Sequence, residues 1–341
     1  MGLSPLFKIR EEPTEGIISL LENTTLGTNG AQYRHLDTRN RIHEADHPLF
    51  LSVERNEKVL GNITFCRRGE NWYIRYFAFS STVQAGKSVK KESRGNSEYK
   101  KEIATFFDEV LTTETYENVE RMYAYIEPQN DRSKWMGEQF GFEKIATLAT
   151  QSFSRVTPKK SEHIERLKSW DGISSVVQKT YVSHAYYQDY HIRKRPYYVL
   201  RNSTGELLAS AGVTTVNWEI VRLPGKFGKV LTKLIPFLPF LNRIICPENH
   251  SFLVVDAVCL PSGKPDDLEE LLSGLLFEEN KNLLLWWMDK SDPIYVKVKD
   301  KLSWGLLHQL VGVNTVDVME RRSKNASQTS GPVFVSAFDL V

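Results

Sequence analysis

The chain has 341 residues, of which 41% are hydrophobic and 25% are charged, which is the composition of an ordinary globular protein. At roughly 150 residues per domain, this length predicts two domains. Forty-four Lys and Arg residues against 42 Asp and Glu residues give a net charge of +2. A dedicated nucleic-acid-binding protein would usually be strongly basic, so we expect no nucleic acid as the partner.

Targeting and redox signals are sparse. No run of 18 apolar residues occurs, so we expect no membrane span. The N-terminal stretch MGLSPLFKIREEPTEG lacks the apolar core of a secretory signal. Three widely spaced cysteines, Cys66, Cys246 and Cys259, form neither a disulfide framework nor a zinc-ligand pattern. We therefore expect a cytoplasmic protein whose cysteines are small buried hydrophobic residues.

The first half alternates between strand and helix patterns. A short strand at 7–10 precedes a helix that Thr14 caps and that ends near Gly27. A polar stretch at 29–47 follows. Three strand-like runs with short turns then predict a meander, at 49–55, 58–67 and 71–83.

A helical region completes the first half. A polar loop, a helix with one apolar stripe, a buried strand and a short helix are predicted, in that order, at 84–96, 97–113, 122–126 and 131–140. Asn130 is the expected N-cap of the short helix, and Gly141 is its left-handed C-terminal residue. One or two closing strands are predicted at 142–156.

The second half repeats this order of elements with little residue identity. After helical stretches at 161–190, it reads as strands, helices and strands at 196–202, 206–217, 251–259, 266–281 (helix), 283–288, 293–310 (helix), 313–320 and 332–340. Residues 158–161 read as a linker. The fold class is therefore α/β with a mixed sheet, in two modules at 1–157 and 158–341.

An insertion at 218–250 interrupts the second half. Its centre, LPGKFGKVLTKLIPFLPFLNRII, is apolar and basic, and Pro236 and Pro239 break any long helix. A lid, a partner surface and a membrane-surface segment are open functional interpretations. A broken hairpin packed on the core is the structural one.

The most informative segment is YAYIEPQNDRSKWMGEQFGF at 123–142. A strand that stops just before a helix N-terminus leaves backbone donors and an Asn side chain facing a cleft. The segment resembles the GNAT superfamily of N-acyltransferases, whose pattern Glu-Pro-x-Asn-x-x-Ser ends in Gly-Phe. The resemblance implies two GNAT-like modules in tandem, the second degenerate, with Asn130 and Ser133 in contact with coenzyme A.

The same resemblance assigns further cofactor contacts. The family's phosphate loop corresponds to Arg94, Gly95, Asn96 and Ser97, at the start of the helix at 97–113; the small residues expected later in the loop are replaced by Ser97 and Tyr99. Glycines in such a loop let backbone N–H groups approach a pyrophosphate. The family also parts two central strands so that backbone N–H groups polarise the thioester carbonyl. The resemblance places those donors near Ala78, Phe79 and Ser80.

Acyl transfer also needs a group that takes a proton from the amine. Glu127 and Tyr125, at the end of the strand before the short helix, are the first candidates, with Tyr76 and Asp256 as others. Many relatives place an acidic Tyr in the helix at 131–140, where this chain has Trp135. A surface carboxylate stabilised by the helix dipole is the structural interpretation of Glu127.

Two motifs compete with this interpretation. His43-Glu44-Ala45-Asp46-His47 matches H-E-x-x-H, but Pro48 follows at once and no helical stripe surrounds it, so we expect no metal site. The aromatic run at 181–191, followed by basic residues, is able to stack on a base or sugar. Core packing beside a basic turn is the favoured interpretation.

The sequence therefore predicts an N-acyltransferase that moves an acetyl group from acetyl-CoA to an amine of a small molecule or peptide. A non-catalytic GNAT-like binding protein is the alternative. A tandem-module aminoacyl transferase that uses charged tRNA is the third, and it would need a basic groove. The sequence leaves a homodimer open.

Overall fold

The structure is a computed structural model that describes residues 4–27, 30–80, 98–116, 118–223, 225 and 227–340. These residues form a mixed β-sheet covered by helices. Its strands are β1 (Phe7–Arg10), β2 (Gln32–His35), β3 (Leu49–Arg55), β4 (Lys58–Arg68), β5 (Asn71–Phe79), β6 (Arg121–Ile126), β7 (Glu143–Ser154), β8 (Ile164–Arg166), β9 (Tyr197–Arg201), β10 (Leu207–Arg222), β11 (His250–Cys259), β12 (Leu283–Asp289) and β13 (Asn314–Arg322). Its helices are α1 (Glu15–Glu22), α2 (Thr38–His43), α3 (Glu98–Thr112), α4 (Asp131–Gln139), α5 (Ser174–Tyr181), α6 (Tyr190–Arg193), α7 (Gly228–Leu234), α8 (Leu241–Ile244), α9 (Pro265–Glu278), α10 (Pro293–Val298) and α11 (Leu306–Val311).

The chain divides into two compact units. Unit 1 consists of residues 1–26, 38–145 and 318–328, and unit 2 consists of residues 27–37, 146–317 and 329–341. The sequence predicts a single boundary after residue 157. In the structure, residues 27–37 belong to unit 2 and residues 318–328 belong to unit 1. Segment 27–37 belongs to unit 2 because β2 pairs with the second half of β10, from Trp218↔His35 to Arg222↔Gln32.

Unit 1 is built on the strand order β1-β3-β4-β5-β6. The pairs are antiparallel up to β5, and β5 and β6 are parallel. Successive residues of a strand point to opposite faces. Phe50 accordingly packs with Ile17 and Ile18 of α1, while Leu51 packs in the cluster that contains Phe106 and Phe107 of α3. Helices therefore cover both faces of the sheet.

Unit 2 repeats this plan with the order β7-β12-β11-β10-β9-β8. Here β11 and β12 form the parallel pair, and their neighbours are antiparallel. Leu200 packs with the leucine stripe of α9, and the adjacent Val199 packs with Val177 of α5 on the other face. The predicted repeat of element order is thus present in the structure.

Several predicted elements differ in the structure. The helical stretches expected at 161–190 are a short strand, a 3-10 turn and α5, and the helix expected at 293–310 is two helices. The segment at 332–340 is no strand; it ends in a 3-10 turn, Ala337–Leu340. Cys66 and Cys259 are buried as expected, whereas Cys246 is exposed. None of the helices in the described ranges has the length and apolarity to cross a membrane.

Candidate functional site

The central feature of unit 1 is the parting of its two parallel strands. Pairing between β5 and β6 runs from Asn71↔Arg121 to Ile74↔Ala124 and goes no further, although β5 continues to Phe79. Beyond this point β5 is paired on its β4 side only. A cleft edge lined by backbone is the result, at the place where the resemblance to GNAT proteins requires one.

A β-bulge accompanies the parting. Thr64 of β4 pairs with Tyr76 and Phe65 pairs with Ile74, so Arg75 is an extra residue on β5. A bulge bends its strand and increases the local twist. Because Arg75 directly follows the last residue that pairs with β6, the bulge provides the physical reason why β5 turns away.

Hydrogen bonding identifies which donors on β5 face the cleft. The N–H of Ser80 donates to Leu60 O at 2.8 Å, which turns it toward β4. N–H directions alternate along an antiparallel strand. The N–H of Ala78 therefore also points toward β4, and those of Phe77 and Phe79 point toward the cleft. Of the three predicted donors only Phe79 has the required direction, and Phe77 joins it.

The helix that follows β6, α4, begins at Asp131, shortly after that strand ends. Asn130 is the N-cap of α4, and its Oδ1 accepts a hydrogen bond from the N–H of Ser133 at 3.1 Å. The chain turns into the helix through an Asn130 N–H bond to Glu127 O at 2.9 Å. Asn130 and Ser133 are both half-buried. The structure thus brings the two predicted coenzyme A contacts together at the first turn of α4.

The end of the same motif is a packing device. Gly141 adopts φ 76°, and the N–H of Phe142 donates back to Gly137 O at 2.9 Å, which closes the helix. Phe140 and Phe142 are buried, and their rings lie 5.3 and 5.8 Å from the ring of Phe107 in α3. The Gly-Phe ending therefore fixes α4 to the core of unit 1.

The two candidate proton acceptors lie at the end of β6. Tyr125 is half-buried, and its ring is 5.1 Å from Tyr73 and 5.9 Å from Tyr123. Glu127 is half-buried and lies three residues before the N-cap of α4. Tyr76 lies past the bulge on β5, with the Arg75 guanidinium 4.8 Å above its ring.

The predicted phosphate loop falls outside the described residues, and with it Arg94, Gly95, Asn96 and Ser97. A different residue offers a positive charge nearby. Lys100, in the first turn of α3, places its ammonium 4.1 Å from the ring centre of Trp135 in α4. Lys100 and Trp135 are 35 positions apart, and no local pattern links them, so sequence reasoning missed this contact.

Unit 2 has the same parting of strands. Its parallel pair, β11 and β12, is joined only from Leu253↔Leu284 to Val255↔Trp286. A register shift between β10 and β11 follows, from Gly212↔Asp256 to Ser210↔Cys259, and Ala257 has φ 47°. Each unit therefore combines a bulge with the end of a parallel pairing, a structural likeness that residue identity does not reveal.

The chain's own C-terminal segment lies in the cleft of unit 2. Val333 N–H donates to Asp289 Oδ2 at 2.9 Å, and Ala337 N–H donates to Asp256 Oδ2 at 2.7 Å. A small cavity remains between β11 and β12. It is lined by these two strands, by residues 333–335 of the C-terminal segment, and by Tyr181 and Asp292. This cleft is closed by protein, whereas the β5 register in unit 1 past Ile74 is with β4 alone.

Asp256 is consequently a structural group. Burial raises the pKa of its carboxyl, and the guanidinium of Arg195 and the N–H of Ala337 counteract this effect. The Oδ2 atom also accepts from the Ser336 hydroxyl at 3.3 Å. A carboxylate engaged in this way is not available as a proton acceptor, and Asp256 belongs to unit 2 whereas Glu127 and Tyr125 belong to unit 1.

The competing motifs have structural explanations. Helix α2 ends at His43, and His47 has φ 39°, so the two histidines of H-E-x-x-H are not one helical turn apart. No group of three or more His, Cys, Asp or Glu within the described ranges is arranged for a metal ion. In the aromatic run, Tyr181 is buried and donates to Val258 O at 2.6 Å, and His191 stacks on Phe338. These side chains are part of the interior of unit 2.

Comparison with known proteins supports the fold. Neither a family profile nor a curated protein sequence matches this chain. Among solved structures, it is similar to Saccharomyces cerevisiae N-myristoyltransferase with bound myristoyl-CoA, with a TM-score of 0.55 and 10% identity over 95% of this chain and 85% of that one. It is also similar to a putative acetyltransferase from Pyrococcus horikoshii, with a TM-score of 0.52 and 9% identity over 98% and 96% of the two chains. The expected fold, two GNAT-like modules in tandem, is confirmed.

Proposed function

We propose that this chain, which has the tandem GNAT fold, is an N-acyltransferase whose unit 1 binds an acyl-CoA. The observation that carries the proposal is the parted edge of β5. Past Ile74 the strand has no pairing with β6, and its N–H groups alternate between β4 and the unpaired side. Donors that are fixed by a sheet need no reorganisation when charge develops on a carbonyl oxygen.

The residues of unit 1 fit the parts of such a reaction. An acyl-CoA supplies an acyl group that is already activated as a thioester. The N–H of Phe77 would donate to the thioester carbonyl and stabilise the negative charge that grows there. Asn130 and Ser133 would hold the pantetheine arm at the start of α4.

Charge and proton transfer complete the assignment. The ammonium of Lys100 would pair with the phosphates, together with Arg94, Gly95, Asn96 and Ser97 of the preceding loop. Glu127 or Tyr125 would accept the proton that the attacking amine loses. As the new C–N bond forms, the C–S bond of the thioester breaks, and coenzyme A leaves as a thiolate that takes a proton from water.

Acetyl-CoA is the donor that we infer. The residues that flank the parting on both strands are bulky aromatics: Tyr76, Phe77, Phe79 and Tyr125. The volume of these rings favours a short acyl group over a long one. The acceptor would be an amine of a small molecule or a peptide.

Binding is tested first. Coenzyme A at about 100 times its dissociation constant should stabilise the protein by roughly 2.7 kcal/mol, which a thermal shift detects. Lys100→Ala should weaken coenzyme A binding measured by titration calorimetry, whereas Lys301→Ala, which changes an exposed lysine of unit 2, should not. The absence of any stabilisation by coenzyme A would overturn the proposal.

Transfer is tested next. Radiolabelled acetyl-CoA and myristoyl-CoA are offered with panels of amines and peptides, and we expect label to pass from acetyl-CoA to an amine. Preference for the long-chain donor would contradict the acetyl assignment and leave the acyltransferase assignment standing. Binding of coenzyme A without transfer to any acceptor would support the non-catalytic alternative instead.

A further inference from the structure

The segment at 223–247 of unit 2 is basic without any acidic residue. Its basic residues are Lys226, Lys229, Lys233 and Arg243, and the nearest carboxylates along the chain are Glu219 and Glu248. The side chains of Lys229, Lys233 and Arg243 are exposed, and none of these three forms an ion pair with another described residue. The segment therefore presents uncompensated positive charge to its surroundings.

The same segment exposes large apolar side chains. Phe227 is 79% exposed, Phe237 is 81% exposed and Phe240 is 60% exposed. Val230, Leu231 and Leu234 of α7 are exposed as well. Single exposed apolar residues are ordinary on protein surfaces, but a contiguous group of them marks an interaction surface.

Packing within unit 2 does not require these side chains. The segment is anchored by other residues: Ile235, Ile244 and Ile245 are buried. The Thr232 hydroxyl accepts from the N–H of Leu223 at 3.0 Å and donates to Gly228 O at 2.8 Å. The protruding phenylalanines are therefore held on a fixed base and contribute little to the core.

We propose that this surface, 227–243, docks on a lipid bilayer that contains anionic lipids. Apolar side chains that project beside Lys and Arg are the composition of interfacial membrane segments, which insert their apolar groups at the level of the headgroups. The basic groups complement the negative surface potential of anionic lipids. The assignment does not depend on acyl transfer, because the segment lies on unit 2 and carries no residue assigned to coenzyme A.

A bilayer fits better than a second copy of this chain or another protein. A self-complementary interface would bring Lys229, Lys233 and Arg243 of both copies together without any carboxylate in the segment to pair with them. A protein partner would fill a shaped groove, whereas these phenylalanines project with 60 to 81% of their surface exposed. A fluid surface accepts isolated projecting rings without a matching shape.

The test is sedimentation of the full chain with vesicles of phosphatidylcholine, with and without phosphatidylserine. We expect binding to the anionic vesicles that weakens as salt is added. The pair Phe227→Ala and Phe237→Ala should weaken binding by about tenfold or more. The triple variant Lys229→Gln, Lys233→Gln and Arg243→Gln should weaken it by about tenfold or more as well.

Matched controls lie elsewhere on unit 2. Phe277→Ala removes a phenylalanine that is 45% exposed on α9, and Lys160→Gln, Lys168→Gln and Lys301→Gln remove three exposed charges. These variants should bind like the original chain, and unchanged circular dichroism should show that every variant is folded. Failure to bind anionic vesicles, binding that the segment variants leave unchanged, or dimerisation through Phe227 and Phe237 without vesicle binding would each overturn the proposal.

Discussion

Substitution of Asn130 separates a structural role from a binding role. In the structure its Oδ1 accepts one hydrogen bond, from Ser133 N–H at 3.1 Å, as the N-cap of α4. Asn130→Ala removes this cap and should lower the free energy of unfolding by about 1 kcal/mol. For a cooperative unit of about 150 residues, the size of unit 1, that corresponds to a fall in Tm of about 2–4 °C. Asn130→Ser retains a capping oxygen, so its Tm should stay close to that of the original chain.

The two variants should behave alike toward coenzyme A. Both lose the carboxamide N–H groups, and loss of one hydrogen bond of about 1 to 1.5 kcal/mol would raise the dissociation constant by a factor of about 5 to 13. Titration calorimetry measures this constant, and differential scanning calorimetry measures Tm on the same samples. Thr14→Ala is the matched control, because Thr14 caps α1 of the same unit by accepting from Ile17 N–H at 3.3 Å. It should lower Tm and leave coenzyme A binding unchanged.

The result that would refute this reasoning is specific. If Asn130→Ser binds coenzyme A as tightly as the original chain, Asn130 is a helix cap only. If Thr14→Ala weakens binding as much as Asn130→Ala does, the loss reflects general destabilisation of unit 1.

Three further predictions concern stability. Phe107→Ala, which removes the ring beneath α4, should cost about 3–5 kcal/mol in urea unfolding, whereas Phe277→Ala should cost less than about 1 kcal/mol. Burial lowers the pKa of His250 to about 4. The free energy of unfolding should therefore be highest above about pH 6.5 and fall by up to about 3 kcal/mol as the pH drops toward 4. His250→Phe should remove this loss, which unfolding midpoints measured across that pH range would show. Burial raises the pKa of Asp256, so its contribution has the opposite sign and stability should fall as the pH rises above about 4; Asp256→Asn should flatten that slope, and an unchanged slope would contradict the assignment.

Local sequence signals predicted the first half well. Asn130 and Gly141 bound α4 as expected, because capping depends on a few neighbouring residues. The stripe of α3 and the meander of β3 to β5 also follow from local periodicity. The presence of two GNAT-like modules came from a motif of about twenty residues that spacing alone does not explain, together with the order of elements.

Long-range pairing accounts for what the sequence could not predict. The four residues of β2 form a strand only because β10 lies alongside, more than 180 positions away. The bulge at Arg75 has no sequence signature, since nearly any residue can occupy it. The register of β5 against β4 decides which N–H groups point to the cleft. It directs the N–H of Phe77 toward the cleft and the N–H of Ser80 toward β4.

The segment at 332–340 shows a different limit. Its apolar pattern predicted a strand, and the residues Val333, Phe334 and Val335 are indeed buried. The Val333 N–H donates to the carboxylate of Asp289, and the Phe334 N–H donates to Ala185 O, so the segment forms an isolated bridge and not a strand. Periodicity reports burial, and it does not report which acceptor the backbone will meet.

The hydrogen bonds from the backbone of this segment to Asp289 and Asp256 make its attachment nearly independent of its amino-acid sequence. Asp289 and Asp256 accept hydrogen bonds from the backbone N–H groups of residues 333 and 337. Every amino acid except proline has such an N–H group. Side chains there can drift as long as they remain apolar enough to fit, and the tether persists. A proline at position 333 or 337 would remove one of these two hydrogen bonds and weaken the closure of the cleft in unit 2, with both aspartates unchanged.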